Sequence, residues 1–332
     1  MYIVTFIIIS ALILTNAITD APNAIVTLVG TNVMKFNKAT KISAIFNFLG
    51  IITMSFINIS VANCMSSIVN LNTDKTGIIG LLCAMIAVII YSLIALFLGI
   101  PTSETHGLIA GLTGSSIALY GFENAINIEE WKNVLVGLIW SVVGTCIVSV
   151  VISRMFNHFL DKVSNKFVKR AQVLGSIGMS FMHGAQDGQK FIGILIIFLA
   201  IYNNTNTLKI LSSENYIWIV IFTGLLMFFG VSIGGKKIVE KVGGGISDLN
   251  NKSALKTDIS TTVTLFIASL TGLPVSTTHV KTMAIVAESF ENKNSKINKK
   301  TFLDIAKAWI YTFPICGVIA YILAYIYLYM FA

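Results

Sequence analysis

The chain has 332 residues, of which 55% are hydrophobic and only 11% are charged, and its formal net charge is +8. A soluble domain has about a quarter of its residues charged, so this composition excludes an ordinary soluble protein. The four cysteines are scattered through apolar segments without paired spacing, which favours buried thiols over a disulfide framework or a metal site.

Long apolar segments predict membrane-spanning helices along the chain. A helix needs roughly 20 apolar residues to cross about 30 Å of hydrocarbon, where only helices satisfy their own backbone hydrogen bonds. The apolar runs cover residues 2–18, 42–62, 77–99, 133–153, 191–202, 216–233 and 308–331. The first run lacks a basic start and a clear cleavage site, which favours a transmembrane helix over a signal peptide. We therefore predict an all-α integral membrane protein.

The segments between these runs predict its orientation, because an excess of lysine and arginine marks cytoplasmic loops. The net charge is +3 in 35–41, +4 in 154–170, +2 in 234–258 and +3 in 291–307, against 0 in 63–76, −2 in 122–132 and 0 in 203–215. Both termini are then outside. The segments 77–121 and 260–289 must return to the side they left, as two re-entrant hairpins with tips inside the membrane. The basic excess thus indicates orientation and not nucleic-acid binding.

Two shorter segments have a simple structural interpretation. Residues 154–170 carry apolar side chains at helical spacing, which predicts an amphipathic helix on the cytoplasmic surface. The glycines at 243–245 have no Lys-Ser/Thr after them and no strand before them, so they predict a flexible connector and not a phosphate loop.

The chain contains an internal repeat. Gly99-Ile-Pro-Thr-Ser-Glu-Thr-His106 matches Gly272-Leu-Pro-Val-Ser-Thr-Thr-His279 at five of eight positions. Upstream of each, an aspartate lies midway through an apolar stretch, with polar residues on the same helical face. These are Asp20 with Asn16 and Asn23, and Asp187 with His183 and Lys190. We predict two inverted-topology repeats, residues 1–153 and 171–332, with interrupted helices near the midplane, an architecture typical of secondary transporters.

The repeated segments carry charges that are costly inside a membrane. Asp, Glu and Lys cost about 2.5–3.5 kcal/mol each at bilayer depth. The side chains concerned are Asp20, Glu104, Asp187, Lys190 and Lys281. They must face each other, a wet cavity or a ligand, and a purely structural ion-pair network is the alternative to a binding site.

The residue types favour an oxyanion site. A Pro-x-Ser-x-Thr-His turn breaks a helix and presents backbone N–H groups at the next helix N-terminus, where an anion is stabilised. Neutral hydroxyl donors for a tetrahedral oxyanion are present at Ser103, Thr105, Ser276, Thr277 and Thr278, and positive charge at Lys190 and Lys281.

The net charge of this set predicts cation coupling. Three carboxylates against two lysines give −1 before an anion arrives, so cations must enter with it. The oxygen ligands that Na⁺ prefers are present at Asp20, Asn23, Asp187 and Gln189, whereas Glu104 and the histidines His106, His183 and His279 can instead hold protons. A symporter is therefore expected, with co-transported H⁺ or Na⁺ and no other cofactor.

These segments resemble the PiT family of inorganic phosphate transporters, and Ser232-Ile-Gly-Gly-Lys-Lys-Ile-Val239 fits it as well. The resemblance implies electrogenic phosphate symport with H⁺ or Na⁺ by a homodimer in the cell membrane. It also implies that Asp20 and Asp187 couple cations, with Na⁺ at Asp20, Asn23 and Asp187, and that Gln189 and Lys190 flank this site. The Ser/Thr turns would then hold the phosphate.

Two features depart from the family pattern. Thr19 and Gln186 stand where Asn often precedes the aspartate, and Glu104 replaces a Ser or Thr of the first turn. A carboxylate beside an anion site is repulsive unless it is protonated or cation-paired, which favours proton coupling. It also leaves open a sulfate permease of the same fold.

Two other classes of function remain as alternatives. An intramembrane enzyme would use Ser276, His279 and Asp187, but no Gly-x-Ser-x-Gly pattern supports it. A passive channel would not accumulate its substrate. The sequence has no Walker motif, so direct use of ATP is not expected.

Overall fold

A computed structural model of the chain describes residues 1–99, 101–243, 246–292 and 297–331, with the backbone alone for 241–243. The described residues are helical apart from turns, short connections and two isolated bridges, Val69 to Ile126 and Ser247 to Ile297. The all-α prediction is confirmed for them. Of the predicted glycine connector, Gly244 and Gly245 lie outside the described residues.

The helices fall into two successive sets. The first comprises α1 (Tyr2–Asp20), α2 (Pro22–Gly30), α3 (Phe36–Ile57), α4 (Ser60–Ser67), α5 (Lys75–Leu98), α6 (Glu104–Tyr120), α7 (Phe122–Ala125), α8 (Ile128–Ile139) and α9 (Thr145–Lys162), with a π-helical turn, Trp140–Gly144, between the last two. The second comprises α10 (Asn165–Tyr202), α11 (Thr207–Leu211), α12 (Asn215–Ile233), α13 (Lys236–Gly243), α14 (Asn251–Thr271), α15 (Thr277–Glu291) and α16 (Lys299–Phe331).

Seven segments of the described chain are long and apolar enough to cross a membrane. They are Tyr2–Gly30, Phe36–Ile57, Lys75–Leu98, Ile128–Lys162, Asn165–Tyr202, Asn215–Ile233 and Lys299–Phe331, and each overlaps one predicted apolar run. Large apolar side chains such as Phe97 and Tyr329 are 76% and 86% exposed, which suits contact with lipid and not with water. The prediction of a multi-pass membrane protein is confirmed.

The helix pairs α5–α6 and α14–α15 form two hairpins, each closed by one of the repeated turns. Gly99 and Gly272 end the first helix of each hairpin with φ of 63° and 73°, in the left-handed region that glycine adopts without strain. Ser103 and Ser276 then cap the second helix. That these hairpins re-enter the membrane from one side stays a prediction.

The helix that carries Asp20 is interrupted beside it, whereas the helix that carries Asp187 is continuous. α1 ends at Asp20 and α2 begins at Pro22, whose ring and missing N–H break the backbone ladder. α10 runs unbroken through Asp187, because Gln189 stands two residues on and keeps its N–H. The two halves therefore differ in the backbone around their aspartates.

The segment 154–170, predicted as one linker helix, consists of two helix ends. Its first part is the end of α9, which stops at Lys162, and its last part is the start of α10. Val163 is extended, and the Ser164 hydroxyl accepts a hydrogen bond from the Phe167 N–H at 3.3 Å as the cap of α10. The repeats at 1–153 and 171–332 remain a prediction.

Nevertheless, the corresponding helices of the two halves make corresponding contacts. α1 packs on α5 and α12, as α10 packs on α14 and α3. α16 covers the first hairpin as α9 covers the second, and α13 lies on α2 as α4 lies on α10. α3 and α12 pack on each other between the halves. This pairing places the two hairpin tips and both aspartates in the interior.

Candidate functional site

The two repeated turns meet in the centre of the molecule. In each turn the serine hydroxyl accepts a hydrogen bond from the backbone N–H of the histidine three residues later, at 3.3 Å in both. The rings of His106 and His279 then pack edge to face, with centroids 4.7 Å apart. The two turns thus match in local structure as well as in sequence, and they contact each other directly.

Asp20 lies at the second turn. Its Oδ1 accepts a hydrogen bond from the Thr278 hydroxyl at 2.9 Å, and its Oδ2 accepts one from the Asn16 amide at 3.3 Å. The Asn23 amide donates to the Thr278 hydroxyl at 3.0 Å. A carboxylate of the first half is therefore held by a hydroxyl of the second hairpin.

Asp187 and Lys190 form the neighbouring part of the site. The lysine Nζ lies 2.6 Å from Asp187 Oδ1 and also donates to the Thr105 hydroxyl and the Val275 carbonyl, both at 2.7 Å. Thr277 donates to the other Asp187 oxygen at 3.3 Å, and His183 Nε2 lies 3.1 Å from it. This ion pair contacts both turns at once.

The adjacent threonines Thr277 and Thr278 join the two aspartates into one site. Each donates to one of them, so Asp187 and Asp20 face a common point at the start of α15. All of these side chains are buried, and Asp20 is only 3% exposed. The protein therefore encloses the site in this structure.

Glu104 lies at the start of α6 and contacts the other departure from the family pattern. Its Oε1 accepts a hydrogen bond from the Thr19 hydroxyl at 3.3 Å, and its Oε2 accepts one from the Ser92 hydroxyl at 2.7 Å. Thr19 and Glu104, two of the positions where the sequence differs from the pattern of the family it resembles, thus contact each other.

A count of the buried charges shows which ones are unpaired. Within the described residues, the buried Asp, Glu and Lys side chains are Asp20, Glu104, Asp187, Asp258, Glu288, Lys190, Lys256 and Lys281. Each lysine forms an ion pair, Lys190 with Asp187, Lys256 with Glu288 and Lys281 with Asp258. Asp20 and Glu104 are left without any cationic side chain at ion-pair distance, and the formal charge of this set is −2.

Lys281 is not part of the cluster around Asp187. It pairs with Asp258 on α14, and the Thr27 hydroxyl donates to both Asp258 oxygens at 2.8 and 2.9 Å. The sequence placed Asp258 and Lys256 in a cytoplasmic loop, but both are buried in α14. The Asn250 carboxamide caps that helix, and hydroxyl residues follow it at helical spacing. These two features of the sequence could have indicated a helix in place of a loop. The loop keeps its charge of +2, since one acid and one base are removed.

Three other predicted residues have structural partners of their own. Gln189 lies outside the cluster: its Nε2 donates to the Asn58 carbonyl at 2.8 Å and its Oε1 accepts from the Ala62 N–H at 3.4 Å. Ser103 and Ser276 serve as helix caps at the rim of the site. The structure therefore brings together Asp20, Asn23, Glu104, Thr105, Asp187, Lys190, Thr277 and Thr278.

The side chains named for the enzyme alternative do not form a catalytic triad. The Ser276 hydroxyl accepts from the backbone of His279, whose ring contacts Trp309, with centroids 3.9 Å apart, and lies 3.5 Å from the Ser141 hydroxyl. Asp187 is occupied by Lys190 and Thr277. No step of nucleophilic catalysis is supported by this geometry.

The oxygens around Asp20 suit a sodium ion. In the described part of the chain, the Asn16 and Asn23 carboxamide oxygens are buried and have no hydrogen-bond donor. Buried polar atoms normally have a partner, and these two oxygens beside a carboxylate without an ion-pair partner are of the type that could serve as cation ligands. No group of three His, Cys, Asp or Glu side chains in the described residues suits a metal ion, whereas carboxylate and amide oxygens are hard ligands.

Comparison with known proteins shows the family of the chain. The chain matches the phosphate transporter family over residues 16–166 and 159–320. It is 31% identical to a probable low-affinity inorganic phosphate transporter of Bacillus subtilis (strain 168), over 92% of each chain. It is 28% identical to a protein of the same name from Rhizobium meliloti (strain 1021), over 92% of this chain and 90% of that one. A solved structure titled as the sodium-dependent phosphate transporter has the same fold, with a TM-score of 0.86 at 20% identity, covering 100% of this chain and 99% of that one. The chain therefore belongs to the phosphate transporter family.

Proposed function

We propose that the chain is a secondary transporter that moves inorganic phosphate across the cell membrane together with Na⁺. The observation that carries this proposal is the pair of buried carboxylates, Asp20 and Glu104, that no cationic side chain neutralises. A phosphate adds one or two further negative charges in a medium of low dielectric, so it binds only with cations.

The phosphate would bind between the hairpin tips. Lys190 points two of its N–H groups at neutral acceptors, the Thr105 hydroxyl and the Val275 carbonyl, and a phosphate oxygen would replace these. The hydroxyls of Thr105, Thr277 and Thr278 and the first N–H groups of α6 and α15 add neutral donors. Sulfate has the same shape, but the relatives are named for phosphate, and phosphate is the substrate we propose.

Na⁺ would bind at Asp20, where the free oxygens of Asn16 and Asn23 complete the ligands. Asp187 is a poorer ligand than the sequence suggested, because Lys190, Thr277 and His183 already surround its oxygens. Thr278 contacts the Asp20 site, and its neighbour Thr277 contacts the Asp187–Lys190 pair. A cation at Asp20 and an anion at Lys190 would therefore stabilise each other over a short distance.

The corresponding helix contacts of the two halves support two repeats of inverted topology around this site. Such repeats give alternating access when one moves against the other. We further propose that both termini lie outside and that the transporter works as a homodimer. Each of these statements is testable by labelling of the termini from either side and by cross-linking in the membrane.

The decisive experiment is phosphate uptake by purified protein in proteoliposomes, with Na⁺ and pH gradients imposed separately. Accumulation of phosphate above its external concentration when only Na⁺ is applied is the expected result. Accumulation driven by pH alone would assign H⁺ as the coupling ion. Equilibration without accumulation would identify a channel, and inhibition by sulfate stronger than by arsenate would favour the sulfate permease.

A further inference from the structure

The Asp258–Lys281 ion pair lies next to the proposed site but takes no part in it. Asn23 and Thr27 are four residues apart on α2, about 6 Å along the helix axis. Asn23 contacts Thr278 at the site, whereas Thr27 holds Asp258. The pair is therefore about one turn from the site, towards the C-terminal end of α2.

Polar side chains continue from this pair towards that end of α2. The Gln172 amide of α10 donates to the Thr31 hydroxyl at 2.8 Å and to the Thr27 carbonyl at 3.1 Å, and Ser176 donates to the Ala24 carbonyl at 2.7 Å. α2 ends at Gly30, beside the basic segment 35–41. A series of hydrogen-bonding groups thus runs along α2 from the buried site to the C-terminal end of this helix, and Thr27, which holds Asp258 of the ion pair, belongs to it.

Within its described residues, the first hairpin has no such pair. The spacing between Pro101 and Pro274 relates Asp258 to Met85 and Lys281 to Leu108, and both of these belong to the apolar core. The two hairpins have matching turns. Beyond the turns, the first hairpin has apolar packing at the positions where the second has an ion pair. A structural duplication alone does not require this difference.

We infer that the Asp258–Lys281 pair is a charge-exchange gate on the path between the site and the face where α2 ends. Removal of a single partner would leave a buried charge uncompensated, so the pair is costly to open without replacement partners. A departing phosphate supplies an anion for Lys281, and the accompanying cation supplies a counter-ion for Asp258. Since the pair opens at low cost only when both ions are present, it prevents leakage of either one alone. This role rests on the proposed symport.

The test uses the double variant Asp258→Asn/Lys281→Gln, which removes both charges and leaves neither unpaired. Its matched control is Lys256→Gln/Glu288→Gln, because that pair also bridges α14 and α15 but contacts Ser153 and Asn157 of α9 and not α2. Purified proteins are compared in proteoliposomes by Na⁺ and H⁺ influx without phosphate, and by phosphate uptake with a Na⁺ gradient.

We expect phosphate-free cation influx to rise at least tenfold in the Asp258/Lys281 variant, with loss of phosphate accumulation but not of downhill flux. The control variant should show the same phosphate-free cation influx as the wild type. The inference would be overturned if the Asp258/Lys281 variant showed the cation influx of the wild type, or if both variants showed the same increase. Lack of phosphate accumulation by the wild type would instead contradict the proposed function, while the comparison of cation influx would still test the gate.

A second variant keeps the inference testable if the neutral pair does not fold. Lys281→Arg retains the charge and offers Asp258 a bidentate partner, which opens more slowly. We expect a severalfold lower maximal rate of phosphate uptake with an unchanged KM. An unchanged maximal rate in a folded Lys281→Arg protein would overturn the gate.

Discussion

Lys190 and Thr105 come from opposite halves of the chain, and the lysine donates a hydrogen bond of 2.7 Å to the threonine hydroxyl. The same Nζ holds Asp187 on its own helix. This one ammonium group therefore connects the first hairpin to the aspartate of the second half, and it is the only cation of the described residues that contacts the proposed phosphate site.

Replacement of Lys190 by Gln should destabilise the protein and abolish uptake. Asp187 would be left buried without a cation, which costs about 3–5 kcal/mol when a buried pair loses one partner. The double variant Asp187→Asn/Lys190→Gln should recover most of the thermal stability in detergent but still fail to bind phosphate. A double variant as unstable as Lys190→Gln would contradict this pairing. Lys132→Gln, at an exposed pair, is the control and should behave as wild type.

Substitution of either aspartate by asparagine should abolish coupled uptake while the protein stays in the membrane. Asp20→Asn removes the carboxylate from the two free amide oxygens, and uptake should fall on the order of a hundredfold, equivalent to about 2.8 kcal/mol. Asp187→Asn should have a similar effect, because it releases Lys190. Uptake in proteoliposomes at fixed Na⁺ is the measurement, and Asp161→Asn on the exposed surface is the control. Full uptake by Asp20→Asn would remove Asp20 from the site.

Much of this site could be predicted from the sequence, for a physical reason. A charged side chain inside an apolar run is so costly that it marks a function, and a repeated motif marks the point where two such runs meet. Asp20, Asp187, Lys190 and the two turns were found in this way. The pairing of Thr277 with Asp187 was not predictable, because it depends on how the hairpins pack.

Other contacts of these side chains could not be predicted, because they depend on tertiary packing. Lys256 and Asp258 lie close to other charges in the chain, so their helical turn looks like a loop until Asn250 is recognised as a cap. Lys281 looks like a phosphate ligand because its partner Asp258 is distant in the sequence. Gln189 lies beside Asp187 in the chain, but successive residues of a helix point in different directions.

Glu104 should determine part of the pH dependence of transport. As the pH rises, an ionised Glu104 repels the anion, so uptake at saturating Na⁺ should fall more steeply in the wild type than in Glu104→Thr. The other ionisable groups around Glu104 are Asp20, Asp187, Tyr91 and Cys316. Because phosphate itself titrates, the two proteins must be compared at each pH. The same pH profile in both would exclude this role.

The contact between Thr19 and Glu104 gives a second test of that idea. Thr19→Asn alone places a larger amide against the carboxylate and should impair uptake. The double variant Thr19→Asn/Glu104→Thr restores the family pattern at both positions and should recover uptake, with the weak pH dependence of Glu104→Thr. Additive losses in the double variant would show that the two positions act independently.

Gln189→Ala should lower stability and leave cation coupling intact. The side chain makes two hydrogen bonds to the segment Asn58–Ala62, and their loss leaves a buried carbonyl and N–H unpaired, which costs about 1–3 kcal/mol each. The midpoint of thermal unfolding should therefore fall. The Na⁺ concentration for half-maximal uptake should not change. A large increase in that concentration would instead support the cation-coupling role that the family resemblance implies.

The two glycines of the hairpin turns should differ in their tolerance of alanine. Both have positive φ, and a left-handed conformation costs an L-residue about 1–2 kcal/mol. At Gly99 the nearest atom to an added Cβ is Lys237 Cβ at 3.5 Å, an ordinary contact, whereas at Gly272 it would lie 2.7 Å from Ser60 Cβ. Gly272→Ala must therefore displace α4 as well as strain the turn, and it should unfold at a lower temperature and transport more slowly than Gly99→Ala. Equal stability of the two variants would mean that the second turn does not press against α4. The double variant Gly272→Ala/Ser60→Gly removes the facing Cβ and so separates backbone strain from the steric clash. If the clash matters, its unfolding temperature should recover to that of Gly99→Ala.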